Sequence, residues 1–289
     1  MWDSVLLTKR DRVATVTMNR PEALNAQDRQ LLEELMEAFE QASADDEVRV
    51  IILAGAGESF SAGHDLGSER SRAAAATRPR RPGAQGIMEY EEEMYLEWCL
   101  KLRDLPKPTV AQVQGYCIIG GWMIASACDL IVAADDALFT DRAARWAAPS
   151  GEFNTYVYDL GARKAKELLF TGDYVPAEEL YRLGMVNKVV PRDRLEDETF
   201  AYASRIAITD PFLLKLAKRS VNEVVDAMGF RSALRTQHYL HLMTHAHYAI
   251  PGTELPVPRL EGETPSEWAR RRDALYGEKP PLKPQRAAV

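Results

Sequence analysis

Apolar residues follow two rhythms along this chain. Over Val13-Ala14-Thr15-Val16-Thr17-Met18 they alternate with polar ones in the period of a strand. With Val5-Leu6-Leu7-Thr8 and the charged turn Lys9–Arg12, the pattern predicts a hairpin. Asn19-Arg20-Pro21 stops it, because proline cannot donate to a ladder. Over Asp28–Ala42 the spacing of Leu31, Leu32, Leu35, Phe39 and Ala42 becomes that of one helix face. Val48–Leu53 is a buried strand, Glu89–Asp104 a helix ended by Pro106 and Pro108, and Thr109–Gln114 a strand running into Gly115. A small-residue helix near Gly121–Ala127 and strands Leu130–Ala133 and Ala137–Thr140 follow. Helices are expected over Gly161–Phe170, Pro176–Leu183, Leu195–Ala207 and from Pro211 towards Tyr248. Strands alternating with helices indicate an α/β layer architecture.

Two stretches break these rhythms. Ser68–Gly86 carries five arginines, four consecutive alanines and two prolines, and reads as a surface loop. The competing reading puts some of Arg70, Arg72, Arg78, Arg80 and Arg81 on the phosphates of a nucleotide-bearing ligand, which guanidinium forks suit. Residues 251–289 are rich in proline and charge and are expected to wrap the surface, with a short helix near Pro265–Tyr276.

The composition changes the picture little. A net charge of −7 argues against a general nucleic-acid binder. Cys99, Cys117 and Cys128 show no metal-ligand spacing and read as reduced thiols. No apolar run approaches the ~20 residues of a membrane helix, and no signal peptide is apparent, so the expectation is a cytoplasmic protein without membrane or nucleic-acid partners.

The chemistry concentrates in two glycine-bearing turns, Ser61-Ala62-Gly63-His64-Asp65-Leu66 after one strand and Gly115-Tyr116 with Gly120-Gly121 after another. Turns of this kind present backbone N–H groups beside strand ends, which suits an anionic oxygen. Together with Asn19-Arg20-Pro21, Leu24-Asn25-Ala26, Pro106-Lys107-Pro108-Thr109, Ala127-Cys128-Asp129-Leu130, Thr171-Gly172 and Gly184-Met185-Val186-Asn187, their order and spacing resemble the enoyl-CoA hydratase/isomerase (crotonase) family. The resemblance covers roughly Val5 to Met243. It implies a crotonase-like spiral of ββα repeats (1–200), a C-terminal helical region (201–250) and a tail (251–289), assembled as homotrimers or homohexamers. It also implies an acyl-CoA substrate, with coenzyme A part of that substrate and no separate cofactor. The peptide N–H groups of His64 and Gly120 would form an oxyanion hole, and Leu24, Ala62, Asp65, Leu66, Tyr116, Gly121, Met123 and Ala143 would line the substrate path.

The departures from the family pattern matter as much. A hydratase needs two carboxylates to orient water and exchange a proton, and the matching positions hold Met123 and Ala143. Text around Trp98-Cys99-Leu100 and Trp146–Gly151 resembles the hydroxycinnamoyl-CoA hydratase-lyases, which lack the first glutamate but keep the second. Two substitutes are expected. Asp141, two residues before Ala143, would share its face of an extended segment, and Glu152, second in order, would open the next helix. The stripe His238, His241 and His245, with His247, is compatible with metal ligation, but no local cysteine or paired carboxylate completes a site, so no metal is expected. The preferred reading is that His238, Tyr239 or His241 closes the acyl pocket. The reaction stays open between hydration or isomerisation, decarboxylation, C–C cleavage or thioester hydrolysis, and non-catalytic acyl-CoA binding.

Overall fold

The computed structural model describes residues 2–65, 67–77, 80–255, 257–258 and 260–277. Strands β1 (Val5–Arg10) and β2 (Val13–Met18) form the expected hairpin. Helix α1 (Arg29–Ala44) is capped by Asp28, whose carboxylate accepts from Leu31 N, and β3 (Val50–Gly55) then pairs parallel to β2. Residues Glu69–Thr77 and Gly83–Glu91 are helices, α2 and α3; the sequence suggested a loop as far as Gly86 and a helix only from Glu89. The consecutive alanines and the lack of an interior glycine or proline favour helix over Glu69–Thr77 even without an apolar stripe. Helix α3 continues through a π-helical segment, Glu92–Glu97, into α4 (Trp98–Arg103).

Strands β4 (Thr109–Val113) and β5 (Tyr116–Ile118) precede α5 (Gly120–Ala127), and β6 (Leu130–Ala134) and β7 (Leu138–Thr140) precede α6 (Tyr156–Thr171). After β8 (Val175–Pro176), α7 (Ala177–Leu183) and β9 (Lys188–Val190), the chain is helical: α8 (Leu195–Ile206), α9 (Pro211–Ala227), α10 (Phe230–Tyr248) and α11 (Pro265–Leu275).

The main sheet has the order β1-β2-β3-β4-β6-β9, parallel except for β1, and a second sheet has the order β5-β7-β8. Each long strand feeds a short segment in the second layer: β4 feeds β5 and β6 feeds β7. In the same way β3 feeds Ser61–His64, which bridges Cys117 on one side and Gln27 on the other. The result is a spiral of strand–strand–helix turns. Both faces of the main sheet are buried, which explains its near-continuous apolar strands. Val50, Ile52, Val110 and Val132 pack under Leu195 and Ala203 of α8, while Ile51, Leu53, Ala111 and Ala133 face the larger core with Leu35 and Phe39 of α1. Among the described residues no helix is long and apolar enough to cross a membrane.

Asn25 fixes the first turn of the site. It is fully buried at φ +53°, and its amide donates to Ala56 O and Ser59 O at 2.9 Å and to Phe60 O at 3.1 Å. Its own Oδ1 accepts from Arg20 N at 2.9 Å. One side chain thereby ties the turn after β2 to the turn after β3.

Candidate active site

The two glycine-bearing turns abut. Gly63 lies at φ +86°, and a Cβ there would stand 2.5 Å from Ile118 O and 3.3 Å from Gly120 N, so only glycine permits the approach. Ser61 Oγ accepts from Gly63 N at 3.1 Å and donates to Asn25 O at 2.8 Å, holding the loop from beneath. Neighbouring peptide groups are spent on the layer: Gln27 N donates to Gly63 O, Asp65 N to Gln27 O and Ile118 N to Ser61 O. The N–H groups of His64 and Gly120 have no backbone acceptor among the described residues. Gly120 opens α5, where the first N–H groups lack intrahelical partners and the dipole favours negative charge.

The His64 imidazole is part of this arrangement, beyond the backbone role expected of the residue. It lies over Tyr95 with ring centroids 4.1 Å apart, and its Nε2 sits 3.1 Å from Glu152 Oε2. Burial pushes the imidazole pKa down, but Glu152 outweighs burial and holds it above the ordinary histidine value. Burial alone would raise Glu152; the His64 charge and hydrogen bond draw it down to about 2. Both shifts favour the ionised form of the pair.

Around it open the walls of a cavity of about 1090 Å³. Of the residues expected from sequence, Leu24, Ala62, His64, Asp65, Tyr116, Ala143 and Glu152 line it. Gly120, Gly121, Met123 and Asp141 are buried and do not. Leu66 and Arg78 lie outside the described residues. Met123 is a core residue whose Sδ packs beside Gly151. Asp65 accepts from Ser68 N at 2.8 Å and pairs with Arg20 at 3.2 Å, so it organises the turn rather than pointing a free carboxylate at a ligand. Among the described arginines of 68–86, Arg70 pairs with Asp28 and Arg81 with Glu89, while Arg80 lies over the Tyr90 ring and lines the cavity.

The expected geometry of Asp141 does not hold. Strand β7 ends at Thr140 and residues Ala143–Trp146 coil into a 3₁₀ turn, so strand alternation cannot set Asp141 beside Ala143. Asp141 is fully buried and accepts from Ala143 N and Gly151 N at 2.9 Å and from Tyr156 Oη at 3.0 Å. Burial raises its pKa despite these donors. The carboxylate fastens the 141–151 loop. Asp141→Asn turns an amide NH₂ towards N–H donors, and urea unfolding is expected to show a loss of about 1–3 kcal/mol. Glu152 is not on a helix start either: it lies four residues before α6, held in a buried bend.

The features invisible in the sequence are Glu91, Tyr95 and the use made of α11, whereas α10 was expected at the pocket and His241 is the one of its three named candidates that lines it. Glu91 ends α3 and is buried, with Oε1 3.1 Å from His245 Nε2 and Oε2 3.6 Å from His241 Nε2. His241 and His245 line the cavity, whereas His238 is buried away from it, Tyr239 is exposed and His247 is exposed. The tail contributes a wall through Arg272 and Asp273 of α11. Arg272 is buried between Trp146 and Trp268, with its guanidinium 4.6 and 4.8 Å from their rings, and Asp273 pairs with Arg145 at 3.5 Å. The signal for this helix was its Thr264–Glu267 capping box.

Comparison with known proteins agrees with this architecture. The sequence profile described as enoyl-CoA hydratase/isomerase matches residues 8–250. A Mycobacterium tuberculosis protein named "Putative enoyl-CoA hydratase EchA13" is 43% identical over 268 residues, covering 86% of this chain and 83% of that protein. The short-chain-enoyl-CoA hydratase of Clostridium acetobutylicum is 32% identical over 80% of this chain and 87% of its own length. The crystal structure of a "probable" enoyl-CoA hydratase from Mycobacterium smegmatis superposes with a TM-score of 0.79 at 43% identity, covering 84% of this chain and 95% of that one.

Proposed function

Since this chain belongs to the enoyl-CoA hydratase/isomerase family, we propose that it moves a proton next to the carbonyl of an unsaturated acyl-CoA thioester. The thioester oxygen would rest between the His64 and Gly120 N–H groups. The observation that carries the reading is the Glu152–His64 contact of 3.1 Å: it puts a carboxylate on the cavity wall, joined to the residue that supplies one of the two N–H donors.

In this scheme Glu152 takes a proton from C2 of a 3-enoyl thioester. The C–H electron pair moves towards the carbonyl and the negative charge collects on the oxygen between the two N–H groups. Such donors act where charge develops and are worth several kcal/mol. Glu152 then returns the proton to C4, and the double bond settles between C2 and C3. No atom is gained or lost. His64 holds Glu152 in place, and Tyr95 covers the imidazole. Leu24, Ala62, Tyr116 and Ala143 provide the walls for the thioester arm, and Arg80 a cation at the same cavity.

Hydration is the second reading. It is favoured by the names of the relatives and by Glu91, a second carboxylate in the same cavity, which stands in for neither Met123 nor Ala143. A panel of 2-enoyl-, 3-enoyl-, β-keto- and malonyl-type CoA thioesters, followed by liquid chromatography and mass spectrometry, separates the outcomes. Isomerisation moves retention at constant mass, hydration adds one water, and loss of carbon dioxide or of coenzyme A marks the other chemistries. Bound but unaltered thioesters throughout the panel would leave a non-catalytic binder. For the assembly, Phe212, Val221 and Val224 of α9 and Met228 just after it are 61–68% exposed and support a homotrimer or homohexamer, which light scattering in solution tests.

A further inference from the structure

Behind the Glu152–His64 pair lies a second constellation that the proposed reaction does not use. His241 and His245 stand one turn apart on α10, and Glu91 reaches them from the end of α3. Their three ligand atoms lie within 4.8 Å of one another. His241 Nδ1 is 2.7 Å from Ser150 O. A carbonyl only accepts, so Nδ1 carries the proton and Nε2 of the neutral ring presents a lone pair. That lone pair faces His245 Nε2 at 3.1 Å, which also faces Glu91 Oε1 at 3.1 Å. One proton on His245 can be given to only one of them. Glu91 Oε2 is buried with no hydrogen-bond donor among the described residues, and Glu152 Oε1 lies 3.6 Å from His241 Nε2. The cluster thus converges more lone pairs than it has protons to fill them.

We propose that Glu91, His241 and His245 form a binding site for a divalent transition-metal ion, zinc foremost, on the wall of the acyl cavity. Tetrahedral zinc with bonds of ~2.0–2.2 Å holds its ligand atoms about 3.3–3.6 Å apart. His245 Nε2 stands 3.1 Å from both His241 Nε2 and Glu91 Oε1, and the other carboxylate oxygen, Oε2, stands 3.6 Å from His241 Nε2, so small side-chain shifts bring the two imidazoles and the carboxylate to that spacing. The orienting bond is present as well: a metal-bound histidine normally donates its other ring N–H to a carbonyl or carboxylate, as His241 does to Ser150. Two imidazoles and one carboxylate leave the fourth position to Glu152 Oε1 or to a molecule in the cavity. The site stands on these contacts alone and is independent of which thioester the protein accepts.

Titration of chelator-treated protein with Zn²⁺ by calorimetry should give one ion per chain. Glu91→Gln and His245→Ala should each weaken it about 100-fold or more. X-ray absorption on the zinc-loaded protein should show two imidazole nitrogens and carboxylate oxygen at ~2.0–2.2 Å. This measurement needs no variant and is unaffected if a variant folds poorly. Zn²⁺ at 100 times its Kd should also raise Tm by several degrees. Absence of saturable binding, equal affinity in both variants, or an oxygen-only shell around zinc would overturn the site and leave the cluster as a proton-sharing network.

Discussion

Glu152→Gln should lower kcat on the thioester identified by the panel by 10²–10⁴, the usual contribution of a positioned acid or base. KM should move by less than about threefold, because the carboxylate acts on the C–H bond rather than on coenzyme A. The substitution keeps the shape of a side chain that is 5% exposed, so it makes no cavity. It also removes the partner that raises the His64 pKa and whose own pKa is lowered to about 2, so Glu152→Gln is expected to melt at a lower temperature than the unaltered protein. Lost turnover in a Glu152→Gln protein that circular dichroism shows folded at the assay temperature assigns the proton transfer to Glu152. The converse pattern, with Asp141→Asn inactive and Glu152→Gln normal, returns it to Asp141.

The second large effect is expected at Gly120. A Cβ there would fall 2.6 Å from Gln27 Oε1 and 2.8 Å from His64 Cε1 and Nδ1. His64 carries the other N–H donor, and Gln27 is bridged to it. Gly120→Ala should therefore spread the two donors and cost about 10²–10³ in kcat, the range seen when one such donor is lost. His64→Ala is the contrast, since it keeps the peptide N–H and removes only the support of Glu152; it should cost about tenfold. Proline at 120 deletes the N–H outright but is a poor probe. Ile119, just before it, sits at φ 39° and ψ −100°, far from the extended conformation that a residue preceding proline requires. Equal activity of Gly120→Ala and the unaltered protein in steady-state assays would remove Gly120 from the scheme.

Much of this site could be read along the chain, because its backbone parts are local. Gly63, Gly115 and Gly120 follow strands whose apolar pattern is plain, and Asn25 lies in a motif that the fold uses to join two turns. The side-chain chemistry was harder. Glu91 meets His241 and His245 from 150 or more positions away, across a pairing of helices that periodicity cannot reveal. The choice of Asp141 over Glu152 assumed that strand alternation continues past Thr140, and the 3₁₀ turn at Ala143–Trp146 ends it. Residues 68–86 looked like a loop because arginine and proline obscured the helix-forming alanines. The tail looked peripheral because its contacts, Arg272 against Trp146 and Asp273 against Arg145, bind it to a segment over 120 residues earlier.

The central claim is that Glu152 exchanges a proton at the carbon beside a thioester carbonyl held by His64 and Gly120. Incubation of the protein with an enoyl-CoA thioester in D₂O, read by NMR at C2 and C4, tests it most directly. The unaltered protein should convert the 3-enoyl to the 2-enoyl thioester with any deuterium taken up confined to C2 and C4, and Glu152→Gln should convert it at least 100-fold more slowly. Deuterium at any other carbon, or conversion at an undiminished rate in Glu152→Gln, would contradict it.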